Sequence, residues 1–153
     1  VRESEMLAKR LASDALDHGL SVAHVDAASG RPSSEPGITD LAAGRVGFGD
    51  VVFKVQEGLA EIPWGHLEVL DHDSSRPVTL VEALAEVYEV VLVAAGAIGA
   101  DNSLGLFADL DARLVLVGTA SPARLEACRN EAARLGFRQV EVLAPPNWRA
   151  AVA

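Results

Sequence analysis

Aromatic side chains, cysteine and long apolar runs are all scarce in this sequence. Only 5% of the 153 residues are Phe, Trp or Tyr, so the core must be built from Val, Leu and Ala, a composition that suits a parallel sheet covered by helices. The single cysteine, Cys128, excludes an internal disulfide and fits a reducing compartment. No run of 18 or more apolar residues and no signal-peptide pattern is present, so we expect no direct membrane insertion.

Basic residues are also scarce. Thirteen Lys and Arg face 22 Asp and Glu, which gives a formal net charge of −9. Nucleic-acid binding requires a concentrated basic surface, so we predict no nucleic-acid partner. The length predicts a single domain over residues 1–153 that buries about 70% of its unfolded surface. The sequence starts at Val1, inside or just before a helical pattern, and we expect further residues upstream.

Strand and helix patterns alternate along the chain. Apolar spacing predicts helices or helical turns at residues 4–18, 38–43, 48–52, 78–89 and 121–136. Apolar runs predict strands at residues 21–26, 58–62, 90–96, 112–120 and 139–146. The helix at 121–136 has the clearest ends, with Ser121 as a cap, Pro122 at its first position and Gly136 beyond its last turn. The alternation predicts an α/β fold, a three-layer α/β/α sandwich with a mainly parallel sheet.

The stretch from Ser21 to Gly44, SVAHVDAASGRPSSEPGITDLAAG, is the most informative part of the chain. Its strand delivers Asp26 to the carboxyl end, where ligands bind in open α/β sheets. The segments DAASGRP, EPGITDLAAG and IPWG follow in the order, and near the spacing, found in bacterial tyrosine kinases and polysaccharide co-polymerase ATPases. The segment EALAEVYEVVLV is similar to that family's run before its Walker B position. The chain therefore resembles this branch of the P-loop NTPases, which is related to the ParA and MinD ATPases.

The resemblance implies two candidate nucleotide-binding residues, and the position of a later loop adds a third. Asp26 matches the first acid of the family's second acidic motif, which helps to hold magnesium or to position water in active relatives. Carboxylate oxygens are the ligands that magnesium prefers. Arg31, followed by Pro32, matches the Arg-Pro that ends the motif. Asp101 lies in the loop after a later buried strand and can add polarity at the same edge of the sheet.

The sequence departs from the family pattern at the positions that carry the chemistry. The second acid of the motif falls on Ala28 and the Walker B acid on Ala94. No G-x-x-x-x-G-K-[ST] motif, which would cradle the phosphates, occurs in the sequence. Phosphoryl transfer depends on positioning and charge neutralisation. We therefore predict a non-catalytic, P-loop NTPase-like domain with no catalytic residue, no metal site and no cofactor.

The resemblance places this domain in exopolysaccharide biosynthesis or export, with a regulatory or assembly role. The implied partners are further copies of itself and a membrane-spanning polysaccharide export protein. The implied location is cytoplasmic, with a tether to the inner face of the membrane through an upstream segment or a partner.

Two alternatives stay open. One is an active ATP-dependent tyrosine kinase or ATPase, using ATP and magnesium, whose Walker A loop lies upstream of this chain. In the family that loop and its central strand immediately precede the helix matching residues 4–18, and losing that strand would leave an apolar groove. The other alternative is a ParA/MinD-like positioning ATPase derivative, which EPGITDLAAG makes the weaker of the two.

Two weaker candidates involve histidine. His66, Asp71, His72 and Asp73 lie in one polar loop and could bind zinc in principle, although their spacing fits no standard motif. A solvated loop is the preferred interpretation. His24 lies on a predicted strand, where a hydrogen-bonded structural histidine is more common than a catalytic base.

Overall fold

The computed structural model describes residues 2–96, 103–117 and 121–143. Its helices are α1 (Arg2–Asp17), α2 (Ile38–Ala42), α3 (Arg76–Val87) and α4 (Pro122–Leu135). Its strands are β1 (Val22–Asp26), β2 (Phe53–Gln56), β3 (Leu59–Ile62), β4 (Val90–Ala94), β5 (Arg113–Val117) and β6 (Gln139–Leu143). Short 3-10 turns lie at Phe48–Val51 and Leu104–Phe107. Within the described ranges, no helix is both long and apolar enough to cross a membrane.

Strand β1 is the centre of a four-stranded group with the order β2-β3-β1-β4. It pairs in parallel with β3 and β4, while β2 pairs antiparallel with β3. Ala23 and Val25 point into the main core with α2 and α3, and both are fully buried. His24, on the opposite face, lies against α1. Helices thus cover both faces, which confirms the predicted α/β architecture with a mainly parallel sheet.

Strands β5 and β6 form a second parallel pair, with α4 packed on β6. The ends of α4 follow the sequence signals. The Ser121 hydroxyl accepts a hydrogen bond from the Arg124 amide at 3.4 Å, Pro122 starts the helix, and Gly136 ends it with φ of +111°. Cys128 is half-buried on this helix. These ends were predictable because each depends on neighbours within a few residues.

Strand β2 was not predicted from the sequence. The helical turn expected at 48–52 is a 3-10 turn that ends at Val51, and the chain then enters β2. Lys54 and Gln56 on this strand are exposed, so the strand lacks the apolar alternation that would have revealed it. The strand is defined by antiparallel pairing with β3 across the two-residue turn at Glu57 and Gly58.

The strands divide into two hydrogen-bonded groups. No ladder joins β4 to β5 in the described part of the chain. Helix α1 nevertheless contacts β1, β4 and β5, so it spans both groups.

Helix α1 runs antiparallel to β1. Only residues 18–21 separate its carboxyl end from the start of β1, and Leu16 near that end would lie 3.5 Å from a side chain on Gly58, the residue before β3. The amino end of α1 is therefore directed toward the carboxyl ends of β1 and β3. That edge of the sheet is where the sequence places its candidate site.

Candidate functional site at the carboxyl edge of the sheet

The loops after β1 and β4 begin side by side. Asp26 and Ala94 are direct neighbours in the parallel register of the two strands. One residue further on, the Ala27 amide donates a hydrogen bond to the Ala94 carbonyl at 2.8 Å. Residues that follow these two strands therefore share one small region at the carboxyl edge.

The Asp26 side chain is engaged by its own loop. Its Oδ1 accepts hydrogen bonds from the amides of Ala28, at 3.0 Å, and Ser29, at 2.9 Å. A carboxylate that bonds amides two and three residues ahead stabilises the turn that follows the strand. Asp26 thus lies at the predicted place, and one of its two oxygens has a structural function there.

Small apolar groups surround Asp26. Ala28 is half-buried, and a methyl group built on Gly96 would lie 3.9 Å from the Ala28 methyl. The loop after β1 therefore passes close to the loop after β4. Ala94, in register with Asp26, has no ligand atom in its side chain.

Ser103 joins the two loops and was not singled out from the sequence. It is 4% exposed, its hydroxyl donates to the Ala27 carbonyl at 2.9 Å, and its amide donates to the Ala95 carbonyl at 3.1 Å. These two bonds tie the segment after β4 to the end of β1. A serine in a loop gives no sequence signal for such a role, because both of its partners are distant backbone carbonyls.

The other two predicted nucleotide contacts are not brought to Asp26. Arg31 is exposed, and it forms no hydrogen bond or ion pair within the described residues. Asp101 lies outside the described residues. Of the three predicted contacts, Asp26 alone is therefore located at the edge by the described part of the structure.

These residues do not fit the magnesium site that the resemblance implies for active relatives. Magnesium requires oxygen ligands in a near-octahedral arrangement. One oxygen of Asp26 already accepts two hydrogen bonds, and the side chains of Ala28 and Ala94 offer no oxygen. The edge therefore offers fewer oxygen ligands than the magnesium site of active relatives would need.

The motif EPGITDLAAG forms a buried clamp beside this edge. Asp40 on α2 is 2% exposed, and its Oδ2 accepts hydrogen bonds from the amides of Gly37, at 3.0 Å, and His66, at 2.9 Å. Its other oxygen lies 3.7 Å from Nδ1 of His66. Asp40 therefore fixes the start of α2 to the loop that follows β3.

Thr39 makes the second half of the clamp. This residue is fully buried, and its hydroxyl donates to the Trp64 carbonyl at 2.8 Å. A side chain on Gly37 would overlap the Pro63 carbonyl oxygen, and one on Gly65 would overlap the Thr39 hydroxyl. The backbones of the EPGITDL and IPWG segments therefore pack directly against each other, and both segments have a structural role.

The weaker zinc candidate, the loop that holds His66, Asp71, His72 and Asp73, does not form a ligand group among the described residues. Among the described residues, no group of three or more His, Cys, Asp or Glu side chains is placed to hold a metal ion. Nε2 of His66 lies 3.1 Å from the Ser34 carbonyl, and Asp71 accepts a hydrogen bond from the Asp73 amide at 2.9 Å. All four of the candidate ligands in this loop are exposed.

His24 has a buried ring nitrogen without a partner. Its Nε2 forms no hydrogen bond in the described structure, and the residue borders a cavity of about 250 Å³ beneath α1. Its register neighbour on β3 is Glu61. His24 lies two positions before Asp26 on β1, and the hydrogen bonds of Asp26 described above go to loop amides rather than to His24.

No protein-family model and no curated protein sequence matches this chain.

Several solved structures share its fold. The VpsO kinase domain superposes with a TM-score of 0.71 at 18% identity, over 86% of this chain and 72% of that one. The BceF tyrosine kinase domain superposes with a TM-score of 0.68 at 20% identity, over 86% of this chain and 60% of that one. MinD from Aquifex aeolicus superposes with a TM-score of 0.69 at 19% identity, over 92% of this chain and 63% of that one. The chain therefore spans about two thirds of these structures, and the resemblance predicted from the sequence is confirmed at the level of the fold.

Proposed function

We propose that this chain is a non-catalytic, P-loop NTPase-like domain with a regulatory or assembly role in exopolysaccharide biosynthesis or export. The observation that carries the proposal is the presence of Ala28 and Ala94 beside Asp26 at the carboxyl edge. Phosphoryl transfer requires charges that neutralise the phosphates. A domain that keeps the fold without those charges would act by binding other proteins through its surface.

Asp26 has a structural role in this proposal. Its Oδ1 holds the amides of Ala28 and Ser29, and Ser103 holds the adjoining loop. The edge is thereby stabilised by hydrogen bonds within the chain.

The setting and the partners follow from the resemblance to polysaccharide co-polymerase ATPases. The likeness of fold to the VpsO and BceF kinase domains supports that branch. The proposed partners are other copies of this domain and a membrane-spanning polysaccharide export protein. Such a partner, or an upstream segment, would tether the domain to the cytoplasmic face of the membrane.

A second candidate function is that of an active tyrosine kinase or ATPase that uses ATP and magnesium. One observation favours it: the amino end of α1 is directed toward the edge that carries Asp26, so a phosphate-binding loop ahead of α1 would reach that edge. Asp26, Arg31 and Asp101 are its candidate nucleotide contacts. A ParA/MinD-like positioning ATPase derivative is a third candidate, which the likeness of fold to MinD supports.

A thermal-shift titration with ATP and magnesium separates these functions, and the natural protein that contains this chain is the sample. Ligand at 100 times its dissociation constant adds about 2.7 kcal/mol of stability, or roughly 5 to 11 °C for a domain of this size. We expect no shift at millimolar nucleotide and no hydrolysis of ATP.

Two variants make the titration specific. Asp26→Asn removes the charge but keeps an oxygen that accepts the two loop amides, whereas Asp50→Asn is a matched change at an exposed carboxylate that accepts one amide elsewhere. A nucleotide-dependent shift that Asp26→Asn abolishes and Asp50→Asn retains would overturn the non-catalytic assignment. Sedimentation velocity tests the assembly role: a strict monomer that also fails to bind the co-expressed export protein would contradict it.

A further inference from the structure

A cavity of about 250 Å³ lies beneath α1, on the face of the sheet opposite the main core. Helix α1 contacts β1 and β4, and residues of β2 and β3 form the other wall of the cavity. Ala8 and Ala12 of the helix border it, and their short side chains leave the space unfilled. The volume lies below the range of about 300 to 1,000 Å³ that is typical of drug-sized ligands, so the cavity suits a smaller molecule.

Both apolar and polar side chains line this cavity. Leu16 and Leu59 supply apolar surface. The polar side chains are those of Lys9, Ser13, His24, Gln56 and Glu61. None of these five side chains forms a hydrogen bond or an ion pair within the described residues. Small-molecule sites have this character, because apolar surface binds the ligand and a few convergent polar groups set its orientation.

His24 lies deepest among these polar groups. It is half-buried, whereas the other four polar residues are exposed. Its Nε2 is buried without a hydrogen-bond partner, which destabilises the fold as long as no partner is supplied. The last torsion of a histidine side chain is broad, so a rotation of the ring can turn this nitrogen toward the cavity. A ligand in the cavity can then provide the missing hydrogen bond.

Two opposite charges border the cavity without pairing with each other. Lys9 extends from α1 and Glu61 from β3, and no ion pair joins them. Glu61 is the register neighbour of His24, so the carboxylate and the imidazole lie on adjacent strands about 4.8 Å apart. A ligand with a single charge is attracted by one of the two charged side chains and repelled by the other. A ligand that carries both signs of charge can be attracted by both.

We propose that this cavity binds a small zwitterion, an α-amino acid with a short apolar side chain. Its carboxylate faces Lys9, its ammonium group faces Glu61, and its side chain packs against Leu16 and Leu59. His24 supplies a neutral hydrogen-bonding group between the two charges. The inference goes beyond the proposed function and is independent of it, because the ligand carries no phosphate and uses none of the groups beside Asp26.

An NMR titration of the natural protein that contains this chain tests the proposal with three probes. L-norvaline carries both charges, pentanoate lacks its ammonium group, and 1-butylamine lacks its carboxylate. We expect norvaline to shift the ring resonances of His24 and the amide resonance of Glu61. We expect it to bind at least about 10-fold more tightly than either singly charged probe, because each loses one charge-assisted hydrogen bond. Equal affinity for the three probes, or no shift with millimolar norvaline, refutes the proposal.

Charge-removing variants show whether the cavity is the site. Lys9→Met and Glu61→Gln should each weaken norvaline binding by at least about 10-fold. Glu61→Gln should also reduce the preference for norvaline over pentanoate, because the ammonium group then has no charged partner. Lys54→Met and Glu82→Gln are matched changes at exposed residues that do not line the cavity, and they should alter the affinity by no more than about twofold. Equal effects of cavity and control variants would contradict the assignment.

Discussion

Replacing Asp40 with alanine removes the acceptor that holds α2 to the loop after β3. In the native protein its Oδ2 accepts hydrogen bonds from the Gly37 amide at 3.0 Å and the His66 amide at 2.9 Å. The Gly37 bond is buried, and the His66 bond is partly buried. The alanine variant leaves both amides without this partner at a site where water has little access.

The size of the effect follows from these two donors. A buried amide left unpaired costs about 1 to 3 kcal/mol, and the partly solvated His66 amide should lie near the lower end of that range. We expect the free energy of unfolding to fall by about 3 kcal/mol. For a chain of this length, the melting temperature should then fall by roughly 6 to 12 °C.

Asp50 provides a matched control. Its Oδ2 accepts a hydrogen bond from the Gly47 amide at 2.8 Å, three residues upstream, but this contact is exposed. Asp50→Ala should cost less than about 1 kcal/mol, since water can replace the lost acceptor. The loss of stability in Asp40→Asn should lie between those of the two alanine variants. The amide oxygen of asparagine can still accept a hydrogen bond, but the bond is weaker without the negative charge.

Urea denaturation followed by circular dichroism measures all three variants. The slope of free energy against urea concentration should stay constant, so that the midpoint reports stability directly. Equal losses for Asp40→Ala and Asp50→Ala would refute the reasoning, because burial of the amides would then have no influence on the cost.

Two further outcomes are expected. Gly37→Ala should lower the free energy of unfolding by about 3 kcal/mol, because its methyl group would overlap the Pro63 carbonyl oxygen. Gly49→Ala is the control: it has open space around it and should be nearly neutral in the same urea series. Similar losses of stability in the two variants would contradict the packing argument. The Asp14 carbonyl, and secondarily the Asp14 carboxylate, raise the pKa of His18 above 6.5, so the stabilisation is present below pH 6.5 and is lost as pH rises through the higher folded-state value. An NMR titration should give that raised pKa, with a partial decrease in Asp14→Asn, and a value at or below 6.5 would refute the assignment.

Much of the local structure was predictable from short-range signals. Ser121, Pro122 and Gly136 mark the ends of α4, and each acts through groups within a few residues. Asp26 at the end of β1 was equally accessible, because an apolar strand followed by a polar loop places its next side chain at the carboxyl edge. Strand β2 was not predicted, because its exposed Lys54 and Gln56 do not alternate with buried apolar residues. Pairing with β3 defines this strand.

The functions of several residues could not be read in advance. Asp40 bonds the amide of His66, 26 residues away, and Ser103 bonds the Ala27 carbonyl, 76 residues away. Nothing in the composition around these residues specifies such partners. The resemblance identified EPGITDLAAG as a distinctive segment, and the structure gives it a packing role.

The sequence by itself determined the alternation of strands and helices, the helix ends and the alanines at positions 28 and 94, because these depend on residue type and on nearby neighbours. The tertiary structure decided which backbone groups bond to Asp40, how the loops after β1 and β4 meet, and which strands pair with one another. Those features depend on contacts between distant segments, which form only when the chain has packed.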